Sequence, residues 1–175
     1  MTIWNIARAC KGHLAVPAGK HTGTCPAAGM AVIRGYSGKE AAGIVIDSRK
    51  VEPGDIFVAI RGERVDGHQF IREVFNKGAI AVVCEEEPEE LPGPCIRVED
   101  SLAALRQIAA FYREQMPIPI VGITGSVGKT STKEFVASVL AQKYKTHKTQ
   151  GNFNNEIGVP LTLLAMPEDT EAAVV

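Results

Sequence analysis

The sequence predicts an α/β fold in two parts, a small α/β domain over residues 1–115 and the opening of a parallel-sheet domain over residues 116–175. Three observations carry that expectation. Short β-branched runs alternate with segments of helical periodicity. Pro117 and Pro119 break the helical pattern and separate the preceding helix from the next strand. After them an apolar strand, a glycine-rich loop and a helix follow in direct succession.

Ile3, Trp4, Ile6 and Ala7 recur at helical spacing and predict a short amphipathic helix closed near Gly12. The stretch from there to Gly43 is crowded with Gly, Pro, Thr and Ser and reads as loop or weak strand. Ile44–Ile46 and Ile56–Ile60 predict neighbouring strands, with Pro53-Gly54 as a turn between them. Phe70, Ile71, Val74 and Phe75 mark one face of a helix ending near Gly78, and Ala79–Val83 is an almost wholly apolar strand. The acidic, proline-broken run Glu85–Glu90 reads as a solvated loop. A strand over Cys95–Val98 then leads to a helix capped by Asp100 or Ser101, with Leu102, Leu105, Ile108, Ala109 and Tyr112 on its apolar face.

Bulk properties exclude several classes. With 45% hydrophobic residues, 22% charged residues and a net charge of -1, the chain has a globular composition. It has no basic stripe of the kind that counterion release from nucleic acid requires. Cys10, Cys25, Cys84 and Cys95 are widely spaced, and neither they nor His13, His21, His68 and His147 show metal-ligand spacing. Neither a membrane-spanning run nor a secretory signal is evident, so the expected location is the cytoplasm, without membrane insertion.

The chemistry concentrates after Pro119. Strand Ile118–Ile123, loop Thr124–Gly128 and a helix over Thr130–Tyr144, with Phe135, Val136, Val139 and Leu140 at helical spacing, aim backbone N–H groups and a helix dipole at one point. A polyphosphate fits there, so Gly125, Ser126, Val127, Gly128, Lys129, Thr130 and Ser131 are the candidate nucleotide contacts. Lys129 reaches the terminal phosphates, Thr130 offers its hydroxyl to Mg²⁺, and Ser131 adds a hydrogen bond. The strict Gly-x4-Gly-Lys spacing is not met, because Ile123 stands where its first glycine belongs.

That variant, Thr124-Gly-Ser-Val-Gly-Lys-Thr130, resembles the ATP loop of the Mur ligases and of their folylpolyglutamate synthetase relatives. Asp47-Ser-Arg49, Pro53-Gly54-Asp55-Ile-Phe-Val-Ala-Ile60, Gly62-Glu63 and Asp66-Gly67-His68 resemble the substrate-nucleotide domain of Mur ligases, which the folate relatives lack. Gly151-Asn-Phe-Asn-Asn-Glu-Ile-Gly-Val-Pro-Leu-Thr-Leu-Leu164 resembles the branch that adds D-alanyl-D-alanine more than the branch that adds a diamino acid or lysine. The resemblance runs from about Ile44 to Val175 and is weak over the first forty residues.

The resemblance implies a small α/β substrate-nucleotide domain followed by the start of a P-loop parallel-sheet ATP-binding domain. It further implies an ATP- and Mg²⁺-dependent ligase of peptidoglycan precursor synthesis, a monomer when full length. Such an enzyme activates the carboxylate of UDP-N-acetylmuramoyl-tripeptide as an acyl phosphate and joins it to D-alanyl-D-alanine. Lys129 and Thr130 would be its catalytic groups here, polarising and positioning rather than attacking. Asp47, Ser48 and Arg49 would face the UDP moiety, and Asn152, Asn154 and Asn155 would orient substrate or a hydrated Mg²⁺. For all of these, turn stabilisation is the competing expectation.

Mur ligases are three-domain proteins more than twice this length, so the sequence is expected to be an amino-terminal part, inactive alone. Its sheet would leave an apolar face uncovered at Val121, Val136 and Leu161. A diamino-acid-adding ligase, a nucleotide-hydrolysing switch or transport protein and a non-catalytic module remain as alternatives.

Overall fold

The computed structural model describes residues 1–17, 35–36, 38–62, 65–90, 92–151 and 153–175. Most of the Gly- and Pro-rich stretch before Gly43, with His21 and Cys25, lies outside the described residues, as do Glu63 and Asn152. The fold is mixed α/β with parallel sheets, as the sequence predicts. Two compact units can be distinguished, Met1–Ile108 and Ala109–Val175.

The first unit contains helices α1 (Ile3–Ala9), α2 (Ile71–Asn76) and the beginning of α3 (Ser101–Glu114). Its strands are β1 (His13–Ala15), β2 (Ile44–Val45), β3 (Ile56–Val58), β4 (Ala81–Cys84) and β5 (Cys95–Arg97). They form one sheet in the order β1-β5-β4-β3-β2, parallel from β2 to β5, with β1 antiparallel at the edge. β4 is buried at all four positions, the signature of a parallel strand covered on both faces. Side chains alternate across a strand. Phe57, Val82, Cys84 and Cys95 accordingly pack with Ile71 and Val74 of α2, while the alternate set Ile56, Val58, Ala81, Val83 and Ile96 is equally buried. Asp100 is the cap of α3: its Oδ1 accepts from the N–H groups of Leu102 (2.8 Å) and Ala103 (2.9 Å).

Around the end of α3 the second unit arranges β6 (Ile120–Val121), β7 (Thr146–Lys148) and β8 (Ala172–Val174), with α4 (Lys129–Leu140) and α5 (Gly158–Leu164). Its sheet is parallel throughout, in the order β6-β8-β7. The core is small: Met116, Met166 and Ala173, flanked by Tyr112, Ile118, Ile120 and Leu163. Tyr112 donates its hydroxyl hydrogen to Met166 O at 2.8 Å.

Two expectations shift here. The strand before the loop is confined to Ile120–Val121, and the following helix starts at Lys129 and ends at Leu140. The apolar residues of that helix do not mark its buried face. Phe135 is 73% and Val139 71% exposed, whereas Lys133 and Ala137 are buried. The uncovered apolar surface is therefore formed by Val127, Phe135 and Val139 with Val121, while Val136 and Leu161 are half-buried. Among the described residues no helix is long and apolar enough to cross a membrane.

Candidate functional site

In a parallel sheet every strand delivers the chain to the same edge, and ligand sites form beyond those carboxyl ends. The second unit has a cleft at that edge. Beyond β6 the Ile123 N–H donates to Val175 O, at 2.7 Å, and the chain then turns through Thr124 and Gly125. Gly125 (φ +149°) and Gly128 (φ +80°) occupy backbone regions that disfavour a side chain. A Cβ on Gly128 would meet nothing within 4 Å, so backbone sign rather than crowding requires glycine there.

Gly128 is also the amino-terminal cap of α4 and supplies no side-chain hydrogen bond. The first N–H groups of a helix lack intrahelical partners and carry the positive end of its dipole. Groups of this kind can receive an anion. Ser126, Val127, Thr130 and Ser131 are exposed around this helix start. Lys129 Nζ donates to Gly125 O at 2.6 Å and closes the loop on itself.

A cleft of about 290 Å³ opens beside this loop. Thr124, Gly125, Lys129 and Thr130 line one side, and Thr149, Gly151 and Asn154, which follow β7, line another. Lys133 completes it. Lys133 Nζ is buried and donates to Thr149 O (2.6 Å) and Gly151 O (3.3 Å), with Glu134 Oε1 at 3.4 Å. Glu134 in turn accepts from Lys148 of β7. Its hydrogen bond with Lys148, followed by that with Lys133, holds the Glu134 carboxyl below its usual range.

The asparagines separate in role. Asn154 lines the cleft, whereas Asn155 Oδ1 accepts from the Gly158 N–H at 2.7 Å and so braces the start of α5. Lys133 and Thr149 are not among the residues the sequence motifs mark. Lys133 was findable: it lies four residues after Lys129, hence one turn along the same helix face. Nothing in the sequence marks Thr149, which reaches the cleft only because β7 lies parallel to β8.

The other candidates sit in the first unit, at the carboxyl end of β2. Asp47 caps the 3-10 turn Ser48–Lys50. Its Oδ1 accepts from the Arg49 backbone N–H (3.1 Å) and Nε (2.8 Å), and its Oδ2 from a terminal guanidinium nitrogen at 2.7 Å. That side-chain pair, with the backbone N–H, keeps the Asp47 carboxyl well below the usual carboxylate range. Ser48 is buried and its carbonyl accepts from Lys77 Nζ at 2.9 Å. Arg49 remains 84% exposed. Turn chemistry thus accounts for the present partners of Asp47, while the Arg49 guanidinium keeps an open face.

Two family models match the chain: the Mur ligase family, catalytic domain, over residues 40–113, and the Mur ligase middle domain over residues 123–175. The UDP-N-acetylmuramoyl-tripeptide--D-alanyl-D-alanine ligase of Bacillus subtilis is 42% identical over 178 residues, an alignment covering 99% of this chain and 35% of that protein. The chain belongs to the Mur ligase family. Among Mur ligase structures, that of MurF from Acinetobacter baumannii superimposes with a TM-score of 0.80 at 31% identity, over 99% of this chain and 35% of the other. MurF from Thermotoga maritima, in complex with ADP, gives 0.70 at 37% identity over 78% of this chain and 31% of the other. The chain thus spans about a third of the length of these Mur ligases.

Proposed function

We propose that the protein is an ATP-dependent ligase of peptidoglycan precursor synthesis that joins D-alanyl-D-alanine to UDP-N-acetylmuramoyl-tripeptide. The observation that carries this reading is the cleft in which Lys129, Thr130 and the open start of α4 meet the turn after β7. Its lining suits a nucleoside triphosphate: N–H donors without side-chain competition, a flexible cation and glycines that leave room for phosphate. The ADP complex of the Thermotoga maritima MurF and the name of the Bacillus subtilis relative support the same reading.

Residues 1–115 would hold the UDP-linked substrate, through Ser48 and Arg49 with Asp47 setting their turn, and residues 116–175 would hold ATP. Among the described residues no group of three His, Cys, Asp or Glu side chains could hold a metal. Mg²⁺ binds largely through phosphate oxygens and water, and the Thr130 hydroxyl would be its protein ligand. ATP with Mg²⁺ supplies the phosphoryl group that makes the substrate carboxylate a competent acyl donor. Gly125 to Ser131 bind and orient the phosphates, and Lys129 neutralises charge that builds during transfer. Asn154 faces the same space. Such a ligase would work as a cytoplasmic monomer.

Expressed from its complete reading frame, the protein should release phosphate from ATP only when UDP-N-acetylmuramoyl-tripeptide and D-alanyl-D-alanine are both present. Release with a UDP-dipeptide and a diamino acid or lysine would assign it to the other branch. Release without any acceptor would make it a nucleotide hydrolase.

A further inference from the structure

Lys133 is the one buried lysine among the described residues, and the cleft it lines is full of candidate phosphate contacts. A buried cation beside a phosphate site invites the reading of a second phosphate ligand. Its hydrogen bonds argue otherwise. An ammonium group carries three protons, and Nζ has three acceptors around it: Thr149 O, Gly151 O and, at ion-pair distance, Glu134 Oε1. Two of these are backbone carbonyls of the turn that follows β7. Lys133 therefore links α4, which follows directly on the loop, to the segment facing that loop across the cleft.

Lys148 at the end of β7 makes a second link to the same helix through Glu134. Both links converge on one edge of the turn. Beyond it the described chain is exposed until Ile157, and Gly151 adopts a left-handed conformation (φ +51°). Thr149, whose hydroxyl is buried without a hydrogen-bond partner among the described residues, lies in the same segment.

We infer that Lys133 is a positioning residue: it clamps the chain at Thr149 and Gly151 to the phosphate-loop helix and so fixes the distance between the two walls of the nucleotide cleft. The inference rests on the nucleotide reading proposed above. A charge-assisted hydrogen bond to a buried carbonyl is strong, and its loss leaves that carbonyl unsatisfied. Removing Lys133 should therefore loosen the turn first and weaken nucleotide binding as a consequence.

The test compares the complete protein with its Lys133→Met and Lys133→Arg variants, reading amide hydrogen exchange without nucleotide, ATP–Mg²⁺ affinity and thermal melting. In Lys133→Met the amides of residues 149–155 should exchange about tenfold faster while those in the middle of α4 are unchanged, and the ATP Kd should rise about tenfold. Lys133→Arg, which retains donors for both carbonyls, should recover most of both losses.

Weakened ATP binding with wild-type exchange over 149–155 would overturn the inference and make Lys133 a direct phosphate contact. Unchanged affinity and exchange would overturn it outright. If Lys133→Met does not fold, Lys133→Gln, which loses the charge and shortens the reach, decides: faster exchange over 149–155 together with weaker ATP binding supports the clamp, and any other result rejects it. Failure of the wild-type protein to bind ATP–Mg²⁺ would remove the nucleotide reading instead, with the exchange comparison still reporting on the clamp itself.

Discussion

The two units bury different things. In Met1–Ile108, β3 and β4 are buried at every position, and Ile3, Ile6, Val74, Leu105 and Ile108 join them inside. In Ala109–Val175 the buried set includes Lys133, Thr149, Thr162 and Thr170, while Phe135 and Val139 face outward. Glycine is used differently as well. Gly67 is needed for close approach, since a Cβ there would lie 2.9 Å from both Ile60 N and Ile60 O, whereas Gly128 is needed for its positive φ in open space. The first unit also buries Ser48, Asp55 and Ser101, but they are few beside its apolar core. The other keeps polar groups and unusual backbone where a ligand would sit, the pattern expected where function overrides local preference.

Truncating an aromatic ring should show this contrast most strongly. Phe57 is completely buried beneath α2, and Phe57→Ala should destabilise the first unit by about 3–5 kcal/mol. The same change at Phe135 should alter stability by no more than about 0.5 kcal/mol. Denaturant melts of the two variants would measure the difference, and equal losses would erase the distinction between the units.

The two glycines give a smaller and more diagnostic effect. Gly67→Ala should cost about 1–3 kcal/mol through overpacking against rigid backbone, visible as a lowered melting temperature. Gly128→Ala should cost about 1–2 kcal/mol from its left-handed conformation, and it should weaken nucleotide binding as well because the loop would relax. A Gly128→Ala protein with wild-type nucleotide affinity would mean that the loop geometry is not required.

Acid gives the smallest expected effect. Asp66 accepts from the His68 backbone N–H and from its ring, and these bonds hold its carboxyl down to about 2 from 3.8. A depressed folded value contributes stability above about pH 4 that is lost as pH falls toward 2. At 40% exposure the Asp66 contribution is modest. In the second unit, burial lowers the His147 imidazole below its ordinary 6.5, partly offset by its hydrogen bond to Thr162 O. Its neutral form is the one the fold favours, so that contribution is complete above 6.5 and drains away as pH falls below it. Segment-resolved amide exchange should therefore show residues 146–162 loosening at a higher pH than residues 66–85. A His147→Gln variant should lose the higher-pH phase.

These contrasts also explain what could be read from the sequence. The first unit was legible because burial and apolarity coincide there: Ala79–Val83 is apolar because both sheet faces are covered. The loop between β6 and α4 was legible because Gly125, Gly128 and Lys129 are local in sequence. The inward face of α4 was not, since Phe135 and Val139 point to solvent and the buried positions are Lys133 and Ala137. Nor was the second wall of the cleft, which depends on β7 and β8 being paired in parallel. Asn154 and Asn155 are adjacent and chemically identical, and only the position of Gly158 shows which of them braces a helix.

The central claim is that the cleft beyond β6 and β7 is a nucleotide site organised by Lys129. Lys129 makes one exposed hydrogen bond, to Gly125 O, so Lys129→Ala should leave the melting temperature within about 2 °C of wild type. Titration of ATP–Mg²⁺ against the wild-type protein and this variant, followed by calorimetry, tests the claim most directly. The wild type should bind saturably and the variant about 10- to 100-fold more weakly, the loss of a charge-assisted phosphate contact. Equal affinity in two equally stable proteins would contradict it.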